Sequence, residues 1–222
     1  GNTANHNGTN VPSIDLNLSI ATTQDAGEFE NIEDSDTLYT VTSNEEFAEA
    51  IANATAGDTT SLSSGTFTMP SEINEGVTVS GSGAGNTVIA VDASGYTIEN
   101  DDVTLKDLKI DGSATSSVEH GKAIYLKGNN AKIENCVIRG GGTTTWGASV
   151  CVILQEGETA YITNTVISGG FRGVLLNLQN GSAVIDSCEI DAVYPINVNG
   201  GGDFSLTVIN SKLHGWTSYA QI

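Results

Sequence analysis

Leu105-Lys106-Asp107-Leu108-Lys109-Ile110-Asp111-Gly112 and Ile133-Glu134-Asn135-Cys136-Val137-Ile138-Arg139-Gly140 are two copies of one eight-residue phrase. Ile162 to Gly169, Ile185 to Ala192 and Val208 to Gly215 repeat it, and successive copies are offset by 28, 29, 23 and 23 residues. The shared pattern is aliphatic, any, Asn/Asp/Ser, small or apolar, any, aliphatic, any, Gly/Ala. A second short apolar stretch precedes each copy: Tyr96–Ile98, Ile124–Leu126, Val152–Leu154, Val174–Leu176 and Ile196–Val198. Val77–Val79 and Val88–Val91 read as an earlier, less regular turn. One such coil cannot bury its inward side chains alone. Stacked at about 4.8 Å, successive coils bury Ile on Ile and Leu on Leu and satisfy each other's backbone.

The alternation inside the phrase makes further assignments. Asn135, Asn164 and Asn210 fall at a bend between strands, where Asn tolerates left-handed backbone and its amide can bond the equivalent residue of the next coil. Cys136 and Cys188 face inward at one equivalent position with Thr165 between them. Two coils, roughly 9.6 Å at the sheet spacing, separate them, which is too far for a disulfide. With Cys151 the cysteines number three, without metal-type spacing, and read as small buried space-fillers.

Working back towards the start of the chain, Ser43-Asn44-Glu45-Glu46 is a capping box, with Ser43 as cap and Glu46 reaching back to it. Phe47, Ile51 and Ala54 give one apolar face, and Gly57 is the stop signal. This predicts a cap helix over 44–56, and no second helical pattern follows. Residues 1–36 are polar, rich in Asn and Thr, and acidic towards their end. They read as a flexible or surface-tethering lead-in, or as a strand laid over the domain, given the alternation in Ile14 to Ile20. The domain itself is expected over 37–222.

The chain has 222 residues with 27 acidic and eight basic side chains, a formal net charge of −19. Such a charge argues against nucleic acid or an anionic membrane surface as partner, and no apolar run is long enough to cross a bilayer. The acidity is uneven. Residues 1–105 hold 17 acidic and no basic residues, whereas 106–222 hold ten acidic and all eight basic ones.

From about Tyr39 to its end the sequence resembles the right-handed parallel β-helix proteins of the pectate-lyase-like superfamily. The stretch Val41 to Ile51, then Ala56-Gly57-Asp58-Thr59-Thr60-Ser61-Leu62 and Gly65-Thr66-Phe67, is similar to that family's N-terminal cap and first coil. The resemblance implies an all-β solenoid, here of about six coils, whose open hydrophobic end is plugged by the helix. It also implies export to the cell exterior or surface, with any leader removed. It does not imply one chemistry, because this scaffold hosts lyases, hydrolases, adhesins and tailspikes.

A calcium-dependent pectate lyase needs a cation to neutralise the uronate carboxylate and a base to take the α-proton. The family's Asp-Ala-Ile strand reads Lys122-Ala123-Ile124 here, and its Trp-Ile-Asp-His reads Lys132-Ile133-Glu134-Asn135. Polygalacturonase-type hydrolases carry paired carboxylates with Gly-His-Gly and Arg-x-Lys motifs, and the sequence has neither motif. Asp101-Asp102 is the one adjacent acid pair in the coils and reads as a solvated turn, or else as a calcium or catalytic pair. His120, in Glu119-His120-Gly121, reads as a solvated loop residue.

One face still carries a hypothesis. The segments joining each Gly/Ala to the next strand stack on one side and bring Glu119, His120, Lys122, Arg139, Trp146, Arg172, Tyr194 and Trp216 there. Beside them runs an outward column, Thr97, Tyr125, Ile153, Leu175 and Asn197. Three large neighbouring outward side chains are unusual on a wet sheet. Either the loops or residues 1–36 cover them, or Tyr125, Trp146, Ile153, Arg172, Leu175, Tyr194 and Trp216 form a groove for a glycan or a partner protein. If the protein is catalytic, Arg172, Glu119 and His120 are the candidates. The expectation is a non-catalytic surface protein that binds polysaccharide or mediates adhesion; the alternative is a lyase or glycosidase with an unfamiliar site. No closing helix follows Gly215, so the last coil is expected to self-associate end to end, or else to be closed by the tail or by further chain.

Overall fold

A computed structural model of the chain describes residues 36–117, 121–142, 150–155, 159–177, 181–199 and 203–215. The lead-in before Asp36, and with it Ile14 to Ile20, lies outside the described residues.

The described chain opens with β1 (Leu38–Val41) and α1 (Asn44–Asn53), followed by β2 (Thr59–Leu62) and β3 (Gly65–Thr68). Five circuits of three strands follow. They are β4 (Thr78–Ser80), β5 (Thr87–Ala90) and β6 (Tyr96–Ile98); β7 (Thr104–Lys106), β8 (Lys109–Asp111) and β9 (Lys122–Leu126); and β10 (Ala131–Glu134), β11 (Val137–Gly142) and β12 (Val150–Gln155). Next come β13 (Thr159–Thr163), β14 (Val166–Gly170) and β15 (Arg172–Asn177), then β16 (Gly181–Asp186), β17 (Glu189–Ala192) and β18 (Tyr194–Val198). A final pair, β19 (Phe204–Ile209) and β20 (Lys212–Gly215), ends the described chain.

Each circuit gives one strand to each of three sheets, and every pairing is parallel. The first sheet runs β1-β2-β4-β7-β10-β13-β16-β19, the second β3-β5-β8-β11-β14-β17-β20 and the third β6-β9-β12-β15-β18. This is a parallel β-helix, as the repeat predicts. Its core is a set of stacked columns. Leu105, Ile133, Ile162 and Ile185 pair along the first sheet, Ile110, Ile138, Ile167 and Ile190 along the second, and Leu126, Leu154 and Leu176 along the third. All of these side chains are buried.

The cap helix is shorter than the sequence suggests. It ends at Asn53, with Ala54 as an extended C-cap, so Gly57 does not stop it. Gly57 instead takes φ +96° in the next turn, where its N–H donates to Gly76 O. Ser43 Oγ accepts from Glu46 N as expected, but the Glu46 carboxylate also reaches one residue further back, accepting from both N and Oγ1 of Thr42 at 2.7 Å. Those bonds hold its pKa below the usual carboxylate value. Phe47, Ala50 and Ile51 pack into the core, and the Phe47 ring meets Phe67 edge-on at 6.1 Å. A second helical element that the periodicity misses, a 3-10 turn over Ser113–Ser117, follows β8. It is built from Ser, Ala and Thr and has no apolar stripe to find.

At the bend between first and second sheets Asp107, Asn135, Asn164, Ser187 and Asn210 all hold left-handed backbone, φ 47–56°. Asn135 Nδ2 donates to Asp107 Oδ1 at 3.2 Å and Asn164 Nδ2 to Asn135 Oδ1 at 2.6 Å. Ser187 is too short to continue the ladder, and Asn210 Nδ2 bonds Asp186 Oδ1 instead. One step inward, Cys136, Thr165 and Cys188 are buried as the alternation requires, and all three cysteines are free.

Candidate functional site

The outward column of the third sheet is in register, Thr97 beside Tyr125, then Ile153, Leu175 and Asn197. All five side chains are half-buried, neither open nor sealed. Tyr125 is the centre of a small cationic cluster: Lys122 Nζ lies 5.6 Å and Lys127 Nζ 5.4 Å from its ring centroid. Lys127 also pairs with Glu99 at 2.9 Å, which raises its pKa, and Lys122 Nζ donates to Ser94 O at 3.3 Å. The strand pattern ends before Lys127. That residue stands two positions beyond Tyr125, where alternation past the end of β9 returns it to the same face.

At the start of the same sheet Lys122, Val150, Arg172 and Tyr194 are neighbours in register. Here the second-to-third-sheet connection shrinks to single residues, Phe171 between β14 and β15 and Val193 between β17 and β18. Phe171 is buried, its ring 5.2 Å from that of Tyr194, and the Arg172 guanidinium lies 5.8 Å over the Phe171 ring. Arg172 is only 6% exposed, and burial lowers its pKa against an opposing contribution from Tyr194. It is therefore a charge held under the surface, not one displayed on it. Phe171 is equally hidden in the sequence, because a single aromatic residue between two strands leaves no periodic trace.

The three outer faces differ in charge. The first sheet carries Lys106 and Lys132 but also Glu134 and Asp186 on its strands. The second carries Lys109, Arg139 and Lys212 beside Asp111, Glu189 and Asp191. The strands of the third sheet contain no acidic residue at all, yet hold Lys122, Arg172, Tyr96, Tyr125 and Tyr194. In a chain of net charge −19 those strands are the exception, and Glu99, next to β6, is the acid that meets Lys127.

Glu119, His120, Trp146 and Trp216 lie outside the described residues. Arg139 is exposed on the second sheet, in register with Asp111 and Ser168, and so is not part of the third-sheet face. Asp101 and Asp102 form a turn bonded to the next coil: Asn129 N donates to Asp101 Oδ1 at 2.8 Å, and Asn130 Nδ2 donates to Asp102 Oδ1. Among the described residues no group of three or more His, Cys, Asp or Glu side chains is placed to hold a metal ion. Ser168, Asp191 and His214 do align across three adjacent strands, but the carboxylate stands between hydroxyl and imidazole, the wrong order for nucleophile activation. No helix among the described residues is long and apolar enough to cross a membrane.

No known family profile matches the chain, and no curated protein matches it. Solved structures do. An alginate lyase from Paenibacillus sp. str. FPU-7 superposes with TM-score 0.63 at 19% identity, covering 83% of this chain and 70% of that one. A pectin methylesterase in complex with a hexasaccharide gives 0.53 at 16% identity, over 83% of this chain and 67% of the other. The carrot pectin methylesterase gives 0.52 at 13% identity, over 74% and 55%. What the chain shares with these polysaccharide-acting enzymes is the parallel β-helix fold.

Proposed function

We propose that this protein binds an acidic polysaccharide along the outer face of its third sheet and works outside the cell. The observation that carries the reading is the acid-free third sheet, with Tyr125 set between Lys122 and Lys127. A sugar ring lies against Tyr125, Ile153 and Leu175, and its carboxylates meet the two ammonium groups. The oligosaccharide-bound solved structure of the same fold supports a carbohydrate as the class of ligand. Calorimetric titration with oligoalginate and oligogalacturonate, set against a neutral malto-oligosaccharide, tests this. Tighter binding of the acidic chains, weakening as salt is added, is expected; equal or absent binding of all three rejects it.

A second reading, breakdown of that polysaccharide by elimination, is favoured by one feature. Arg172 neighbours Tyr194 in register, so a guanidinium held under the surface and a phenol for proton transfer stand on adjacent strands. Incubation with the same uronates, followed by the absorbance of unsaturated products, separates binding from catalysis. Product that disappears in Arg172→Ala, while binding to Tyr125 persists, would make the protein an enzyme. No product leaves it a binder.

A further inference from the structure

We propose, resting on the binding reading of the third-sheet face, that its ligand is a partly esterified polyuronate. One free carboxylate sits at Tyr125, and the esterified units that follow lie over Ile153 and Leu175. The column changes character from coil to coil. Tyr125 has two ammonium groups, 5.6 and 5.4 Å from its ring centroid. Glu99 takes up one of those charges by pairing with Lys127 at 2.9 Å, so the cluster keeps one positive charge, enough for a single carboxylate. The next two positions in register, Ile153 and Leu175, are aliphatic and half-buried. On their strands, Val150–Gln155 and Arg172–Asn177, the only cation is Arg172, and that residue is buried. Lys127 follows Tyr125 by two residues, whereas the residues that follow Ile153 and Leu175 at the same distance are neutral, Gln155 and Asn177, paired in register.

Coils rise by about 4.8 Å, close to the length of one sugar unit, so a chain lying along the column sets one unit against each of these three side chains. A carboxylate that faces the protein at Tyr125 meets an ammonium group. One that faces it at Ile153 or Leu175 loses water without gaining a counter-charge, which is unfavourable. Esterification there removes the charge and lays a methyl group on the aliphatic side chain, where its burial is favourable. Complete esterification goes too far, because the ammonium groups then have no carboxylate to meet. The face is thus complementary to a chain of mixed charge, free acid at one unit and ester at the next two. Thr97 and Asn197 close the column with neutral hydrogen-bonding side chains.

Calorimetric titration of the full chain with oligogalacturonates of one length, methyl-esterified at none, at half and at all of their carboxylates, tests the preference. The half-esterified chain is expected to bind roughly tenfold more tightly than the free acid, the effect of burying two methyl groups. It should also keep a salt dependence that the fully esterified chain lacks. Leu175→Lys supplies the missing cation and should raise the affinity of the free-acid chain. Leu175→Thr, which keeps a good strand former at that position, should weaken the half-esterified chain and leave the free acid unchanged.

A free-acid chain that binds wild-type protein as tightly as the half-esterified one, or more tightly, overturns the preference while leaving a binder of acidic polysaccharide. Tightest binding by the fully esterified chain overturns it too, since the lysines then select nothing. No binding by any of the three rejects the preference, and if oligoalginate is ignored as well, the acidic-polysaccharide reading falls with it.

Discussion

Asn164 donates its side-chain amide to Asn135 Oδ1 at 2.6 Å across 29 residues of chain, and both hold left-handed backbone. The corner of the solenoid is thus fixed twice at one position, by the local conformation and by the bond to the next coil. Asn135 is the middle rung, accepting from Asn164 and donating to Asp107. Asn135→Ala removes both bonds and leaves at φ 53° a residue without the polar side chain that makes Asn tolerant of left-handed backbone. The expected loss is about 2 kcal/mol in a urea titration. Asn135→Gly relieves the backbone while still losing the bonds, so it should fall between the two. Equal losses would mean that the bonds contribute everything and the conformation nothing.

Ser187 is where that ladder breaks. It already holds φ 56°, the conformation in which Asn is at home, but its hydroxyl turns to Asp186. Ser187→Asn supplies an amide long enough to meet both Asn164 and Asn210. It should raise the urea midpoint, with a gain in unfolding free energy of about 0.5–1 kcal/mol. An unchanged or lowered midpoint would show that Asp186 already does this work for the last coil.

These corners also show what a sequence of this kind reveals. The aliphatic–Asn–aliphatic phrase recurs because stacking imposes the same burial on every coil, so the inward residues, the left-handed bends and the buried cysteines were all legible. The helix end was not: Ala54 breaks α1 by adopting extended backbone, and nothing in an alanine announces that. Nor was the fate of Arg172 legible. Alternation places it on the third sheet, but only the collapse of the corner to a single Phe171 puts it beneath the surface. The absence of acids from the third sheet's strands could have been read directly, by collecting the residues of one sheet across coils instead of along the chain.

The buried thiols give the fold a predictable response to alkali. Burial pushes both Cys136 and Cys151 up to about 12, against 9.0 for a free thiol. Each stays protonated in the native state while the unfolded chain ionises near 9. Their contribution to stability is therefore complete below that pH and is lost as the pH rises towards 12. The urea midpoint should fall between about pH 8 and pH 10, and fall less steeply in Cys151→Ala. A thiol reagent should leave all three cysteines untouched until the protein is unfolded.

Acid should act first at the other end of the molecule. The buried Asp58 carboxylate accepts from Thr55 N at 2.8 Å and from Thr37 N at 2.6 Å, clasping the approach to β1 against the turn after α1. Those two backbone bonds hold its pKa below the usual 3.8 despite burial. The stabilisation is present above that value and is lost as the pH falls through the depressed one. Hydrogen exchange of residues 38–53 should accelerate in acid before that of β10 to β17 does. Asp58→Asn should produce the same local opening at neutral pH. Uniform protection across the chain in both experiments would show that the clasp carries no stability of its own.

The proposed glycan face makes the sharpest demand on Tyr125, because its ring serves two partners. It offers an apolar surface to a sugar, and it holds two ammonium groups within 5.4 and 5.6 Å, where they can meet carboxylates. Tyr125→Phe keeps the ring and should bind oligouronate nearly as well as the wild type. Tyr125→Ala loses both the stacking surface and the positioning of the lysines, and affinity should drop about tenfold, the equivalent of 1.4 kcal/mol. Lys122→Ala should weaken binding less and, unlike the tyrosine change, should flatten its salt dependence, since it removes charge without removing the platform. If Tyr125→Ala binds normally while Arg139→Ala does not, the glycan lies on the second sheet and not on the third.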